Sequence, residues 1–247
     1  MDVITISPAR LTLAFVPVAI VVALMWHWSH GYGRALHAVA RMLLQLMLIG
    51  YVLIYIFETD SGLLIAAILG VMVVAASWIA LNTVAMPKKQ LFVAALVSIL
   101  VGGGATLVLI TQGVLGLKPW YQPSYMIPLA GMIFSASMTN ISLALERLHA
   151  ELCNGVAFAR ARDVAFRTAM IPVINSFFAV GLISLPGMMT GQILSGVSPL
   201  IAARYQIMVM CMIFGAAGLS TICFLLMIRR NRALAGVTGE AGETAAP

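Results

Sequence analysis

Seven apolar stretches, each long enough to cross a bilayer, dominate this chain. They run over about 11–28, 39–57, 61–84, 90–111, 124–145, 171–194 and 203–228. A membrane-spanning helix needs about 20 such residues. Hydrocarbon cannot hydrogen-bond a peptide group, so segments of this kind must satisfy their backbones internally. The expected fold is all-α, a polytopic membrane helical bundle of about seven transmembrane helices. Residues 1–230 form its single membrane domain. The tail 231–247, rich in Ala, Gly, Thr and Glu, is expected to be disordered.

Composition agrees. Hydrophobic residues make up 62% of the 247 and charged residues 9%, against about a quarter charged in a soluble domain. The net charge of +6 is spread over short loops, which speaks against a nucleic-acid surface. Cys153, Cys211 and Cys223 form no CxxC pair and read as reduced packing residues. Asp2 precedes the first run and no cleavage site follows it, so no signal peptide is expected.

The basic residues orient the chain. With seven spans, one set of loops and ends holds Arg34, Arg41, Lys88, Lys89, Arg147, Arg160, Arg162, Arg167, Arg229, Arg230 and Arg232, and the other only Arg10, Lys118 and Arg204. The positive-inside rule then puts the N-terminus outside and the C-terminus in the cytoplasm. No Asp, Glu or Lys falls in mid-span. That argues against proton-coupled transport, which uses intramembrane ionisable groups, and against a retinal protein, which needs an embedded lysine. A chain with no ionic gate takes its energy from elsewhere.

The sixth run is interrupted. Pro186, Gly187 and Gly191 sit in Asn175-Ser-Phe-Phe-Ala-Val-Gly-Leu-Ile-Ser-Leu-Pro-Gly-Met-Met-Thr-Gly-Gln192. Broken helices are tolerated where they are buried in protein or line a wet path, and transporters place substrate sites at them. Span five carries its own polar cluster, Ser135, Ser137, Thr139 and Asn140. Interhelical packing is the plain reading of any one such hydroxyl. Taken together, the expected pathway lining is Ser135, Ser137, Thr139 and Asn140 with Asn175, Ser176, Pro186, Gly187, Met188, Met189, Thr190, Gly191 and Gln192.

Other motifs carry less. Gly187 and Gly191 have GxxxG spacing, which lets helices approach closely. Met188 and Met189 could offer soft sulfur to a metal, but with 16 methionines in the chain packing is the plainer reading. His27, His30 and His37 cluster near Trp26 and Trp28 at a membrane interface, with no acidic or thiol neighbour in sequence. Glu58 and Asp60 could gather cations at an outer mouth, or Asp60 and Ser61 could cap the next helix. Gly102-Gly103-Gly104 has no following Lys and is no phosphate loop. No hydrolase motif is present, so the chain is expected to be no enzyme.

The longest inner segment is 146–170. Leu145, Leu148, Leu152 and Val156 recur at helical spacing, with Glu146, Arg147, His149 and Glu151 off the stripe. This predicts an amphipathic helix continuing inward, ended by Gly155 and followed by Arg160, Arg162 and Arg167. Such a helix lies on anionic lipid or docks into a groove of a cytoplasmic partner.

Leu185-Pro-Gly-Met-Met-Thr-Gly-Gln-Ile-Leu-Ser-Gly196, followed by Pro199, Ala202 and Arg204-Tyr-Gln206, resembles the signature of the FetB-type ABC transporter permeases. Further matches are Arg41, Gln45-Leu46, Gly50-Tyr-Val-Leu53, Ile127-Pro-Leu-Ala-Gly-Met132, Asn140, Leu143, Pro172 and Asn175-Ser176, so the likeness spans roughly 36–228. It implies a multi-pass inner-membrane permease that binds no cofactor of its own, and a chain of 26.3 kDa needs a second copy to enclose a pathway, so a homodimer is expected. ATP and Mg would sit in a separate cytoplasmic ABC ATPase, docked on Glu146, Arg147, Glu151, Leu152, Gly155, Arg160, Arg162 and Arg167. Bacterial members of that family are described as iron exporters. Plant members are linked to aluminium tolerance, and one to UDP-glucose. The expected cargo is a metal ion such as iron. The alternatives are a nucleotide sugar or other small solute, or a non-transporting membrane scaffold.

Overall fold

The computed structural model describes residues 7–28, 31–57, 61–82 and 88–228. His30, Glu58, Asp60, Arg229, Arg230, Arg232 and the tail 231–247 lie outside the described residues. The chain forms two compact units, Met1–Thr59 and Asp60–Pro247. The first holds α1 (Pro8–Leu11), a 3-10 turn (Thr12–Phe15), α2 (Val16–Trp28) and α3 (Tyr32–Phe57). There α2 and α3 pack side by side over an apolar hollow lined by Phe15, Val22, Trp26 and Leu36.

The second unit holds α4 (Gly62–Ala80), α5 (Lys88–Ser98), α6 (Ala105–Val108), α7 (Pro123–Cys153), α8 (Phe158–Ala179), α9 (Gly187–Leu194) and α10 (Pro199–Ile228). A π-helical stretch, Ile99–Gly104, joins α5 to α6, and a second, Leu109–Val114, extends α6, making one continuous rod. Among the described residues five helices are long and apolar enough to cross a membrane: Ala9–Trp28, Gly62–Ala80, Leu91–Val114, Pro123–Cys153 and Pro199–Ile228. The run 39–57 lies within α3. The run 171–194 is not one helix: it is divided between the end of α8 and the eight-residue α9.

Side-chain contacts set the helix directions in the second unit. A Cβ on Gly131 would meet Met72 at 3.7 Å and the Ser142 hydroxyl donates to the Ala80 carbonyl at 2.8 Å, so α7 runs parallel to α4. Ser98 lies against Met227 at 3.8 Å and Gly102 against Ser220, so the α5–α6 rod runs antiparallel to α10. The Asn140 amide meets the Met170 sulfur at 3.3 Å, so α8 runs antiparallel to α7. Successive passes therefore alternate. The ends that carry Lys88, the α7–α8 connection and the C-terminus of α10 fall together, while Lys118 and Arg204 fall at the other end.

The core sits where α10 meets α7 and the π-helical rod. Ser220 donates to the Ser137 hydroxyl at 3.0 Å, and Ser137 to the Ala216 carbonyl at 3.3 Å. Both serines are fully buried. A Cβ on Gly102 would collide with the backbone of Ser220. Close backbone approach sealed by hydroxyls is how helices associate where lipid is as apolar as leucine. The close-packing glycine is thus Gly102. Nothing stands within 4 Å of a Cβ built on Gly187 or Gly191, so their GxxxG spacing does not mark a helix contact here. Ser61, extended at φ −100 and ψ 107, caps α4 by accepting from the Leu64 amide at 3.4 Å.

Gly102→Ala is expected to cost about 1–3 kcal/mol, because overpacking at a backbone contact has no flexible side chain to displace. Gly104→Ala, with open space at its Cβ, should be neutral or mildly stabilising. Thermal unfolding of the two variants in detergent, followed by circular dichroism, checks the contrast.

Candidate functional site, a polar groove and a charged hairpin

The polar cluster of α7 faces α8. Ser135, Thr139 and Asn140 line a hollow of about 380 Å³ with Met132 and Ala136 from α7, Pro172, Val173 and Ser176 from α8, and Ile213 from α10. Helical spacing produces this face, since 132, 135, 136, 139 and 140 fall on one side of a 3.6-residue period. Ser135 and Thr139 are exposed and Asn140 is buried. Pro172 cannot donate to the turn before it, and the Ser176 hydroxyl bonds the Val173 carbonyl at 2.6 Å. No charged side chain lines the hollow. Its chemistry is that of neutral oxygens and one amide, suited to hydrogen-bonding or weakly solvating a solute.

Ser137 belongs to the same sequence cluster but points to the other side. It is sealed in the contact with α10, where it serves packing. Asn175 is exposed on α8.

The break after α8 is a closed turn. The Ala179 carbonyl accepts from the amides of Leu182, Ile183 and Ser184 at 3.3, 2.9 and 3.1 Å. Gly181 takes φ +83 and donates to the Ser184 carbonyl at 3.0 Å. Pro186 starts α9, and its carbonyl accepts both the amide and the hydroxyl of Thr190. The backbone carbonyls just before Thr190 are therefore partly used. Met189 lines a second hollow of about 440 Å³, with Leu185, Val180 and Gly181 from the turn and Gln206, Met210 and Cys211 from α10. Gly187 and Gly191 are exposed, while Pro186, Met188, Thr190 and Gln192 are half-buried. Helix α9 packs on α10. Sequence reasoning placed Pro186–Gln192 beside Ser135–Asn140; the structure gives the two stretches different hollows. Gln206 of α10, 6% exposed with an unpaired side-chain oxygen, is a polar core residue that sequence reasoning left in the background.

The segment 146–170 is a helical hairpin. At 31 residues α7 is about 46 Å long, well over the roughly 30 Å of a hydrocarbon core. Its charged C-terminal turns and the charged start of α8 therefore project. The turn is closed by Gly155 at φ +74. The Val156 amide donates to the Glu151 carbonyl at 3.1 Å and Gly155 to Leu152 at 3.0 Å, a glycine helix stop with two bonds. The apolar stripe expected to meet lipid or a partner is instead covered. Leu145, Leu148 and Leu152 are at most 2% exposed, and Ala161, Ala165 and Ala169 of α8 are fully buried. The Asn140–Met170 register brings Leu145 level with Ala165. Leucine over alanine lets the two helices close. What remains outward is charge. Glu146, Arg160 and Arg167 are exposed, Arg147 pairs with Glu151, and Arg162 holds Asp163 at 2.8 Å.

Among the described residues no group of three His, Cys, Asp or Glu could hold a metal ion. His27 and His37 are exposed. The three cysteines are free, and Cys153 and Cys211 are exposed where packing was expected.

Comparison with known proteins adds a family. The model of the uncharacterised protein family UPF0014 matches residues 8–232. The chain is 36% identical over 232 residues to the UPF0014 membrane protein slr1647 of Synechocystis, covering 86% of this chain and 88% of that protein. It is 34% identical over 245 residues to the Probable iron export permease protein FetB of Escherichia coli, covering 90% of each. It is 38% identical over 206 residues to the Protein ALUMINUM SENSITIVE 3 of Arabidopsis thaliana, covering 77% of this chain and 74% of that one. No solved structure matches.

In a chain freed of its three cysteines, thiols introduced at Ser135, Thr139 and Ser176 should react with a small water-soluble thiol reagent. Ser137→Cys should react at least about tenfold more slowly, because local opening with a cost of more than about 1.4 kcal/mol must precede it. Mass spectrometry of the labelled protein measures both.

Proposed function

Because the chain belongs to the UPF0014 family, a family of membrane proteins with permeases among its members, we propose that it is the permease subunit of an ABC transporter. In this reading it is a multi-pass protein of the bacterial-type inner membrane. A separate cytoplasmic ATPase binds ATP and Mg and drives it. The observation that carries the reading is the uncharged groove of Ser135, Thr139, Asn140 and Ser176, open along one side of an otherwise apolar helix unit. Polar groups facing lipid are costly. A second copy laid over the groove removes that cost and encloses a path, which is the reason for a homodimer. The α7–α8 hairpin supplies the coupling contact. Its stiff paired helices end in the groove walls, so a push at the tip reaches Asn140 and Pro172 through packed leucine and alanine rather than through a loose loop. Coupling requires a contact that differs between states, and the outward Arg160, Arg162, Arg167 and Glu146 are the groups we assign to it.

The cargo we propose is a metal ion such as iron, moved outward, following the name of the Escherichia coli relative. One observation favours a second reading. The groove offers neutral oxygens and no carboxylate, and such a lining also suits a hydroxyl-bearing solute such as a nucleotide sugar. ATP hydrolysis by the reconstituted complex, stimulated in turn by metal ions and by nucleotide sugars, distinguishes the two.

Reversing Arg160 and Arg162 to glutamate should lower stimulated ATP hydrolysis by roughly tenfold, the middle of the usual coupling range. Membrane insertion should be unchanged, because Arg160 is exposed and the half-buried Arg162 bonds its neighbour Asp163 rather than the α7–α8 seam. Co-purification of the ATPase with this chain, and its loss or retention in the variant, is read in the same experiment. An ATPase that never co-purifies would leave the scaffold reading in its place.

A further inference from the structure

We propose that the turn between α8 and α9 is the surface through which two copies of this chain join, each turn entering a hollow of the other copy. The inference rests on the homodimer of the proposed reading and names the contact that holds it. The turn pairs its amides but not its carbonyls. Among the described residues nothing donates to the carbonyls of Gly181, Leu182 and Ile183, and the Leu185 amide finds no acceptor. Depth makes this costly. Arg167 is the last charge of α8 before the break, and residues 168–179 carry the helix about 18 Å further. On α10, Ile207 beside the turn stands three residues, about 4.5 Å, past the exposed Arg204. From either end the turn lies within the roughly 30 Å of hydrocarbon. Irregular backbone is tolerated there only where protein or a water-filled cavity covers it.

The side chains choose protein over water. Leu182 and Ile183 are 90% and 86% exposed, and Leu185 is exposed too, so aliphatic groups frame the open carbonyls. Apolar exposure alone is ordinary in lipid; exposed irregular backbone is not. The partner that fits is a second copy, because the surface is self-complementary. Leu182 and Ile183 project beside the hollow of about 440 Å³ whose apolar walls are Val180, Leu185 and Met189 with Ile207 and Met210 of α10. In a two-fold interface the same patch serves both copies, so each projecting pair fills the other's hollow. Gln206 stands in that wall, buried and with its side-chain oxygen unpaired. Its amide can donate to an incoming carbonyl and accept from the free Leu185 amide. The turn begins four residues after Ser176, so a copy seated there lies at the end of the polar groove.

The test uses the full chain, freed of Cys153, Cys211 and Cys223, in lipid vesicles. Two differently tagged copies are co-expressed, one with Leu182→Cys and the other with Met210→Cys. Mild oxidation should join them into a disulfide-linked pair carrying both tags. Leu63→Cys, 83% exposed on α4, should not join Met210→Cys. Single-molecule photobleaching counts the copies. Leu182→Ala with Ile183→Ala should weaken dimerisation roughly tenfold or more, an ordinary cost for truncating the centre of an interface. Both side chains are exposed in the single chain, so circular dichroism of this variant should match the wild type. Monomers alone in the wild-type chain would overturn this surface and the homodimer together. Dimers that form without the cross-link, or that the alanine pair leaves unchanged, would overturn this surface and leave the homodimer standing. Free reaction of the Leu182→Cys thiol with a water-soluble reagent in the dimer would show a wet path at the turn and overturn it as well.

Discussion

The contact between Gly102 and Ser220 organises the second unit. In a bilayer there is no hydrophobic gain in bringing one helix to another, so packing and hydrogen bonds must suffice. A glycine at 102 lets the backbone of α10 come closer than any side chain would permit. Ser220 then reaches Ser137, and Ser137 reaches the Ala216 carbonyl. Three helices are joined at one point by two hydroxyls. The π-helical turn Ile99–Gly104 lies at this contact. Widened turns of this type often mark functional places in helices.

Everything proposed for function is attached to α7, which that contact holds in place. One face of α7 packs on α10 and another carries Ser135, Thr139 and Asn140 beside α8. Its far end leaves the apolar span and becomes half of the hairpin. A single rod therefore runs from the polar groove to the charged tip. Such a rod transmits displacement because its interior is close-packed, and close-packed cores shift as units. The alternating leucine and alanine of the α7–α8 seam give this stiffness without any buried charge.

The reassignment of the sixth apolar run changes how the signature motif is understood. Proline and two glycines in an apolar stretch suggest an unwound strand of backbone with free carbonyls. The chain instead closes a turn at Ala179–Ser184 and uses most of the local donors there. Pro186 then fits the start of α9, where a missing amide costs nothing. At eight residues α9 is about 12 Å long, too short to cross. Its place is beside α10, where Met189 and Gln206 border a hollow of their own.

By itself the sequence determined the solvent, the helical class and the family signature. Each of these is a local or additive property: apolar run length, a contiguous motif. It also located the helix that continues past span five and the glycine that stops it, because Gly155 at positive φ is a local stop. Only the tertiary structure decided which polar residues share a face. Ser135 and Ser137 are two apart, and a 3.6-residue period sends one to the groove and the other into the α10 contact. Likewise Leu145, Leu148 and Leu152 form an amphipathic stripe whatever covers it, and the cover proved to be α8 of the same chain. Glycines spaced for close packing at 187 and 191 stand open, while Gly102 makes the contact. Which surface meets which is a matter of pairing between distant segments, and periodicity within one segment carries no record of its partner.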